Sequence, residues 1–467
     1  MAIISVKFLY FVLISLAIYY LLPGKLQNIF ILLASYYFYS TWVWWYAPIL
    51  LVITIFNFYY AQIIQRAQNH RGFIVWLGVG FNSSLYVFFL IANLYSKQLN
   101  HLTSTLGITI AILVPIGLGY RVLECISYLL DIKLKIAHPA SNFIDFALYL
   151  AYFPKLISGP IERARKFLPQ LSSKKEITNK DLSHSILLIL VGMGQTVVLA
   201  GMLSVLTPVS PLKRPQDHTN LELIVGLLYF AFYLYNQFAG YTNIVRGISG
   251  LFGVELNRNF AFPLFSKNFA DFWKRWHISL SQWLRDYVYL PLSRAFLRRN
   301  PKRTNKTNLV VPPLVTMLVS GIWHGASPNL LVWGALNGIY IVAENIRSLY
   351  RPTTPSLKKP FWKQLLSSLI VVGLALFAGI PFSMSLATSK IFLYQMVFAW
   401  SKQIPDLRPL VIMVFSILLE WSQYRSNDEF IFLKWPGWLQ SLATVMVIVG
   451  VIIVTNLQSV PVAFVYP

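Results

Sequence analysis

Long apolar runs follow one another along nearly the whole chain. A membrane-crossing helix needs about 20 apolar residues. Runs of that order fall at 4–22, 27–46, 47–65, 73–93, 105–120, 184–207, 221–240, 309–323, 329–346, 364–383, 407–424 and 437–456. They are continuous, with no alternation of polar and apolar positions. A transmembrane barrel would show segments of about 10 residues with a period of two. The pattern therefore predicts helices, whose backbone groups are satisfied within the segment when lipid surrounds them. The expected fold class is an all-α polytopic membrane protein with about 11–12 transmembrane helices, by the usual span length. Re-entrant and interfacial amphipathic helices join them. No fixed-period repeat and no soluble domain interrupts the series, so 1–467 reads as a single membrane domain.

Two stretches depart from the span pattern. In 121–181, FIDFALYLAYFPKLISGPIERARKFLPQL carries an apolar run too short to cross, then Ser158, Gly159 and Pro160, then basic residues. This reads as a re-entrant or interfacial segment, which protein must bury. The second is DFWKRWHISLSQWLRDYVYLPL, 271–292. On a helix, Phe272, Trp273, Trp276, Leu280, Trp283, Leu284, Tyr287 and Val288 share an arc of about 160°. Lys274, Arg275, Ser279, Gln282, Arg285 and Asp286 take the other side. The expectation is one interfacial helix, with Asp271 as N-cap or first-turn acid and Pro291 closing it. His277 lies on the edge of its apolar arc, one turn from Trp273 and Ser281.

A second histidine sits in GIWHGASPN, 321–329. The run from 309 to 323 rises roughly 22 Å at about 1.5 Å per residue. That is short of a hydrocarbon core about 30 Å thick. His324 is thus expected at membrane depth, where Gly325, Ser327 and Pro328 break the helix. Such a break must line protein or water, and an ionisable group there is a functional-site candidate by default. An imidazole suits proton abstraction near neutral pH. The alternative is a neutral histidine bonded to a helix-end carbonyl.

Composition narrows the reading further. The chain is 56% hydrophobic and 12% charged, against about a quarter charged in soluble domains. The formal net charge of +23 collects between apolar runs, as cytoplasmic loops do, so no nucleic-acid partner is expected. Three basic clusters stand out: 294–306; Arg163, Arg165, Lys166, Lys174, Lys175 and Lys180; and Arg347, Arg351, Lys358, Lys359 and Lys363. Placing them inside puts both termini outside. The clusters also suit anionic lipid as a partner. The N-terminal run, with Lys7 and no small-residue cleavage site, reads as a first span. Cys125 is the only cysteine, so no Cys-based metal site is expected. Neither histidine has an HxxxH or HxxE companion, so no metal is expected. No nucleophile elbow is present, which favours direct transfer over an acyl-enzyme.

The blocks DFWKRWHISLSQWLRDYVYLPL and SGIWHGASPNLLVWGALNGIY resemble the core of the membrane-bound O-acyltransferases. The likeness is to the bacterial branch of the alginate O-acetylation protein and the D-alanyl transfer protein of teichoic acid modification. PIGLGYRVLECISYLLD, NFIDFALYLAYFPKLISGPIERARKFLPQL and YNQFAGYTNIVRGISGLFGVELNRNFAFP extend it. The family-like core is 115–345, with peripheral spans in 1–114 and 346–467. The resemblance implies spans around a central funnel or tunnel in a bacterial-type plasma (inner) membrane. It implies no bound cofactor, and an acyl thioester as donor substrate: acetyl-CoA or an acyl-carrier protein with phosphopantetheine. The acceptor would be a glycan hydroxyl met from outside, with an extracytoplasmic acyl-transfer protein as a further partner. His324 falls on the family's catalytic histidine and His277 on its second one. The branch's Phe-Ser-Gly-Tyr-Ser-Asp here reads Phe238-Ala239-Gly240-Tyr241-Thr242-Asn243, and Arg121 enters where the branch has Ser-Phe-Tyr-Thr-Phe.

The expected reaction is acyl transfer, acetyl first, with His324 as general base. Trp273, Trp276, Ser281, Trp323, Asn329, Asn243 and Arg121 are candidates for lining the tunnel. The indoles of Trp273, Trp276 and Trp323 and the amide of Asn329 are candidate oxyanion donors. Lys274, Arg275 and Arg285 are donor-side basic candidates. D-alanyl transfer to an envelope polymer is the alternative chemistry. A transporter or flippase, with Glu124, Asp131, Glu344 and Glu420 as a proton path or as caps, is the alternative class. A non-catalytic scaffold is a third.

Overall fold

The structure, a computed structural model, describes residues 1, 3–95, 114–172, 175–207, 210–302, 304–350, 360–400 and 404–457. No strand occurs among them. The main helices are α1 (Val6–Leu21), α2 (Gly24–Ser40), α3 (Tyr46–Arg66), α4 (Arg71–Leu94), α5 (Leu118–Lys133), α6 (Phe143–Ala151), α7 (Asn179–Leu206) and α8 (Asn220–Leu251). They continue as α9 (Phe269–Arg275), α10 (Ile278–Leu284), α11 (Leu290–Arg299), α12 (Lys306–His324), α13 (Pro328–Leu349), α14 (Phe361–Ser383), α15 (Leu386–Phe398), α16 (Arg408–Ser426) and α17 (Gly437–Leu457). Six of these, α3, α4, α7, α8, α14 and α17, are long and apolar enough to cross a membrane. Of the other expected spans, 4–22, 27–46, 309–323, 329–346 and 407–424 correspond to helices that are shorter or more polar. The chain forms two compact units, Met1–Ser185 with Val245–Asn257, and Ile186–Ile244 with Arg258–Pro467.

In the first unit a buried ionic network holds the non-helical turns between α6 and Ala164. Pro154, Gly159 and Pro160 bar a regular helix there. Lys155 Nζ donates to both Glu124 carboxylate oxygens, at 2.6 and 2.7 Å. Arg121 pairs with the same carboxylate at 2.7 Å and donates to the carbonyls of Leu150 and Lys155. The Glu162 amide donates to Glu124, and the Glu162 carboxylate accepts from Asn257. Arg121, Glu124 and Lys155 are all at most 1% exposed. Charges removed from water cost several kcal/mol each, so these must be matched closely. Gly117 opens α5 at φ 79, and a Cβ there would lie 2.2 Å from the Leu156 carbonyl. No other residue type fits both the conformation and the space.

In the second unit, α12 and α13 form a hairpin whose backbones touch. A Cβ on Gly321 would lie 2.4 Å from Leu330 O, one on Gly334 2.5 Å from Met317 O, and one on Gly338 3.0 Å from Leu314 Cα. Small residues allow such approach where lipid gives helices no hydrophobic drive to associate. Pro312 and Pro313 lie inside α12 and free the carbonyls one turn back. Asn345 on α13 donates to one of these, Leu309 O, at 3.4 Å. Gly192 and Gly240 give α7 and α8 a similar close approach. The wider π turn Gly194–Leu199 follows, where Gln195 accepts from Asn243 at 2.9 Å.

The structure corrects several expectations. The run 105–120 lies largely outside the described residues, and its last three residues begin α5 instead. The stretch from 121 is therefore helical as far as Lys133, and its Arg121, Glu124 and Asp131 are paired inside the fold. The segment 271–292 is not one helix. It breaks at Trp276 and His277, where His277 adopts φ 43, and resumes as α10, a π turn Arg285–Tyr289, and α11. The cap is Asn268, which accepts from Asp271 N, and Asp271 is the first-turn acid, paired with Arg275. Pro291 lies in the first turn of α11, directly after the π turn, and the helix runs to Arg299. Helix α12 has 19 residues and rises about 28 Å, so it reaches further than its apolar run implied. Lys174, Arg351, Lys358 and Lys359 lie outside the described residues.

Two outcomes test these contacts. Gly334→Ala should lower stability by about 1–3 kcal/mol, because its Cβ meets backbone that cannot rotate away. Lys155→Met should cost about 3–5 kcal/mol by leaving buried carboxylates undercompensated. Thermal unfolding of detergent-purified protein reads both, and unchanged midpoints would show that these contacts do not hold the fold.

Candidate active site

Gly325 fixes where α12 stops. Its φ of 151 lies outside the range side chains favour, and its N–H donates to Ile322 O at 3.1 Å. His324 is thereby the last helical residue, half-buried, at the turn into α13. Three rings enclose it nearly edge to face. Trp323 stands at 4.8 Å between centroids, Trp333 at 5.2 Å and Phe382 at 5.3 Å. Trp333 and Phe382 also touch, at 5.3 Å. Perpendicular pairs of this kind are favoured by the ring quadrupoles. Asn329 Nδ2 donates to Pro381 O at 2.9 Å, which ties the start of α13 to the end of α14 and sets Phe382 beside the imidazole.

His277 sits in the break between α9 and α10 and is 3% exposed. A short extended stretch holds the break. Ala261 N donates to Arg275 O at 2.9 Å, Ile278 N to Asn259 O at 2.8 Å, and Ser279 N to Asn259 Oδ1 at 3.1 Å. The ring lies 4.9 Å from Phe238 of α8 and 6.2 Å from Trp323. Trp323 therefore contacts both imidazoles, and the two histidines chosen from sequence share one aromatic enclosure.

The other candidates divide. Trp273 packs 6.0 Å from Trp333, and its Nε1 is buried with no acceptor among the described residues. Trp276 packs against Tyr235, Phe260 and Phe272, and its carbonyl accepts from Ser281 Oγ at 3.0 Å. Asn243 bonds Gln195. Arg121 belongs to the ionic network of the first unit. Arg275 is held by Asp271 and the Ala261 carbonyl. Lys274 is exposed, and Arg285 is exposed beside Asp286. Of the four acids weighed as a proton path, Glu344 caps α9 by accepting from Phe269 N and Ala270 N. Glu124 is paired as above, Asp131 lies 3.8 Å from Arg165, and Glu420 is buried beside Tyr235. No group of three or more metal-binding side chains occurs among the described residues.

Sequence reasoning passed over Phe382, Trp333 and the Ser320 hydroxyl, which is buried one turn before His324 with no partner among the described residues. Trp333 stood inside a quoted block. Phe382 follows a proline near the end of an ordinary apolar helix, so nothing in its local pattern marks it.

Six long apolar helices make this a multi-pass integral membrane protein. The sequence pattern of the membrane-bound O-acyltransferase family matches residues 31–387. The chain is 32% identical over 374 residues to a protein of Pseudomonas putida named probable alginate O-acetylase, covering 78% of this chain and 74% of that one. It is 28% identical over 354 residues to the peptidoglycan O-acetyltransferase of Helicobacter pylori, covering 69% and 66%. It is 27% identical over 283 residues to the teichoic acid D-alanyltransferase of Bacillus subtilis, covering 57% and 69%. The chain belongs to the membrane-bound O-acyltransferase family and is an acyltransferase.

Proposed function

We propose that the protein moves an acyl group, acetyl in the first instance, from a cytoplasmic thioester to a hydroxyl of a polysaccharide or other glycan outside a bacterial plasma (inner) membrane. The observation that carries this is His324, a titratable ring at a helix end, enclosed by Trp323, Trp333 and Phe382 and joined through Trp323 to His277. The relatives' names supply the acceptor class, envelope and secreted glycans.

In this reading His324 takes the acceptor proton while the hydroxyl oxygen attacks the thioester carbonyl. The aromatic walls exclude water, which would compete for the acyl group, and positioning provides much of the rate. The donor is acetyl-CoA or a phosphopantetheine carrier. Exposed Lys274 and Arg285, with the cations of α11, attract its acidic groups on the cytoplasmic side. The same cations hold anionic lipid. His277 sits nearer the donor entrance and orients the thioester. An extracytoplasmic acyl-transfer protein is the further partner this arrangement admits.

His324→Ala should lower acylation about 10²–10⁴-fold, the usual contribution of a general base. His277→Ala should lower it less. Both proteins should reach the membrane and run as single species in detergent. The measurement is alkali-released acyl groups on the envelope polymer, in cells where each variant is the only copy. Normal ester content with His324→Ala would refute the base. Acetate released by alkali supports acetyl transfer; D-alanine supports the alternative acyl group.

A further inference from the structure

Four hydrogen-bond donors near the two histidines are open from sequence, and the structure separates them. The Asn329 amide is engaged by Pro381 O at 2.9 Å. Trp323 packs its ring against both imidazoles. Trp276 packs against Tyr235, Phe260 and Phe272. Trp273 Nε1 is buried and has no acceptor among the described residues. Its ring stands edge-on to Trp333 at 79°, and Trp333 stands 5.2 Å from His324. Trp273, Trp333 and Phe382 pack in one cluster with Met317 and Ala378.

We propose that Trp273 Nε1–H is the donor that receives the negative charge formed on the thioester carbonyl oxygen. This rests on the reading of His324 as the base. As His324 removes the acceptor proton, the acceptor oxygen bonds to the carbonyl carbon and the C=O pair moves onto oxygen, where the indole N–H meets it. The pair then returns, the C–S bond breaks, and sulfur leaves as the thiol with the proton from the imidazolium. A donor fixed in advance acts best where charge develops in the transition state. Trp273 is fixed so. Asn268 and Glu344 both accept from the first-turn amides of α9, which leaves that helix little freedom. A buried N–H without an acceptor is a standing cost, and an oxyanion that forms only during reaction removes it at that moment.

The test replaces Trp273 with Phe and, by suppression, with benzothienylalanine, which keeps the shape of tryptophan and puts sulfur in place of the N–H. The readout is the initial rate of envelope O-acylation per membrane-inserted protein, with His324→Ala alongside. Both Trp273 variants should slow acylation roughly 100-fold or more, as loss of one oxyanion donor does, while remaining monodisperse in detergent. If Trp273→Phe aggregates, the isosteric variant decides alone. A benzothienylalanine protein that acylates at the wild-type rate, with His324→Ala silent, overturns the donor and leaves the base standing. A fully active His324→Ala overturns the base and the donor with it.

Discussion

The backbone contact between α12 and α13 is what the site depends on. His324 is only where it is because the chain stops being helical at Gly325 and turns back within three residues. A turn so short forces the two helices together, and Gly321, Gly334 and Gly338 supply the missing side-chain volume. The register that sets Gly334 against Met317 O also turns its neighbour Trp333 onto His324. Phe382 is added by one hydrogen bond, from Asn329 to the Pro381 carbonyl. The imidazole is therefore positioned by backbone packing rather than by a polar partner on each side.

The same obligation, that backbone groups be satisfied where water is scarce, is met differently elsewhere. Within α12 the two prolines leave carbonyls unpaired. Asn345 reaches one of them, Leu309 O, from α13, and Thr316 Oγ1 adds a side-chain bond to Pro312 O at 2.6 Å. In the first unit the turns after α6 are pinned by charges, with Arg121, Lys155 and Glu162 gathered on Glu124. Both solutions put polar groups inside segments that a hydropathy reading treats as apolar or as loop.

That explains which parts were legible. Long apolar runs such as α3, α4, α14 and α17 announce themselves, because lipid-facing helices need no polar detail. On α17 the residues Leu442, Val445, Met446, Ile448, Val449, Ile452 and Ile453 are all exposed. Helix α5 did not announce itself, because Arg121, Glu124 and Asp131 find their partners through tertiary contacts. The break at His277 was hidden for another reason. The sequence 271–292 keeps helical periodicity across it, and only the pairing of Asn259 and Ala261 with the broken turn gives the chain something better than the helix. The two histidines were visible as ionisable groups out of place. Their aromatic walls were less so, since Phe238, Trp333 and Phe382 come from three helices.

His277 carries its ring on a backbone with φ 43. That left-handed conformation is tolerated by histidine, asparagine and aspartate and is hostile to β-branched residues. The fold thus limits what drift can place at this position before any chemistry is considered. Single-step replacements that leave the break intact are short and polar, so descendants of this protein that change the second imidazole are steered towards another hydrogen-bonding side chain. The position's polarity is inherited from its geometry, and outlasts any particular substrate.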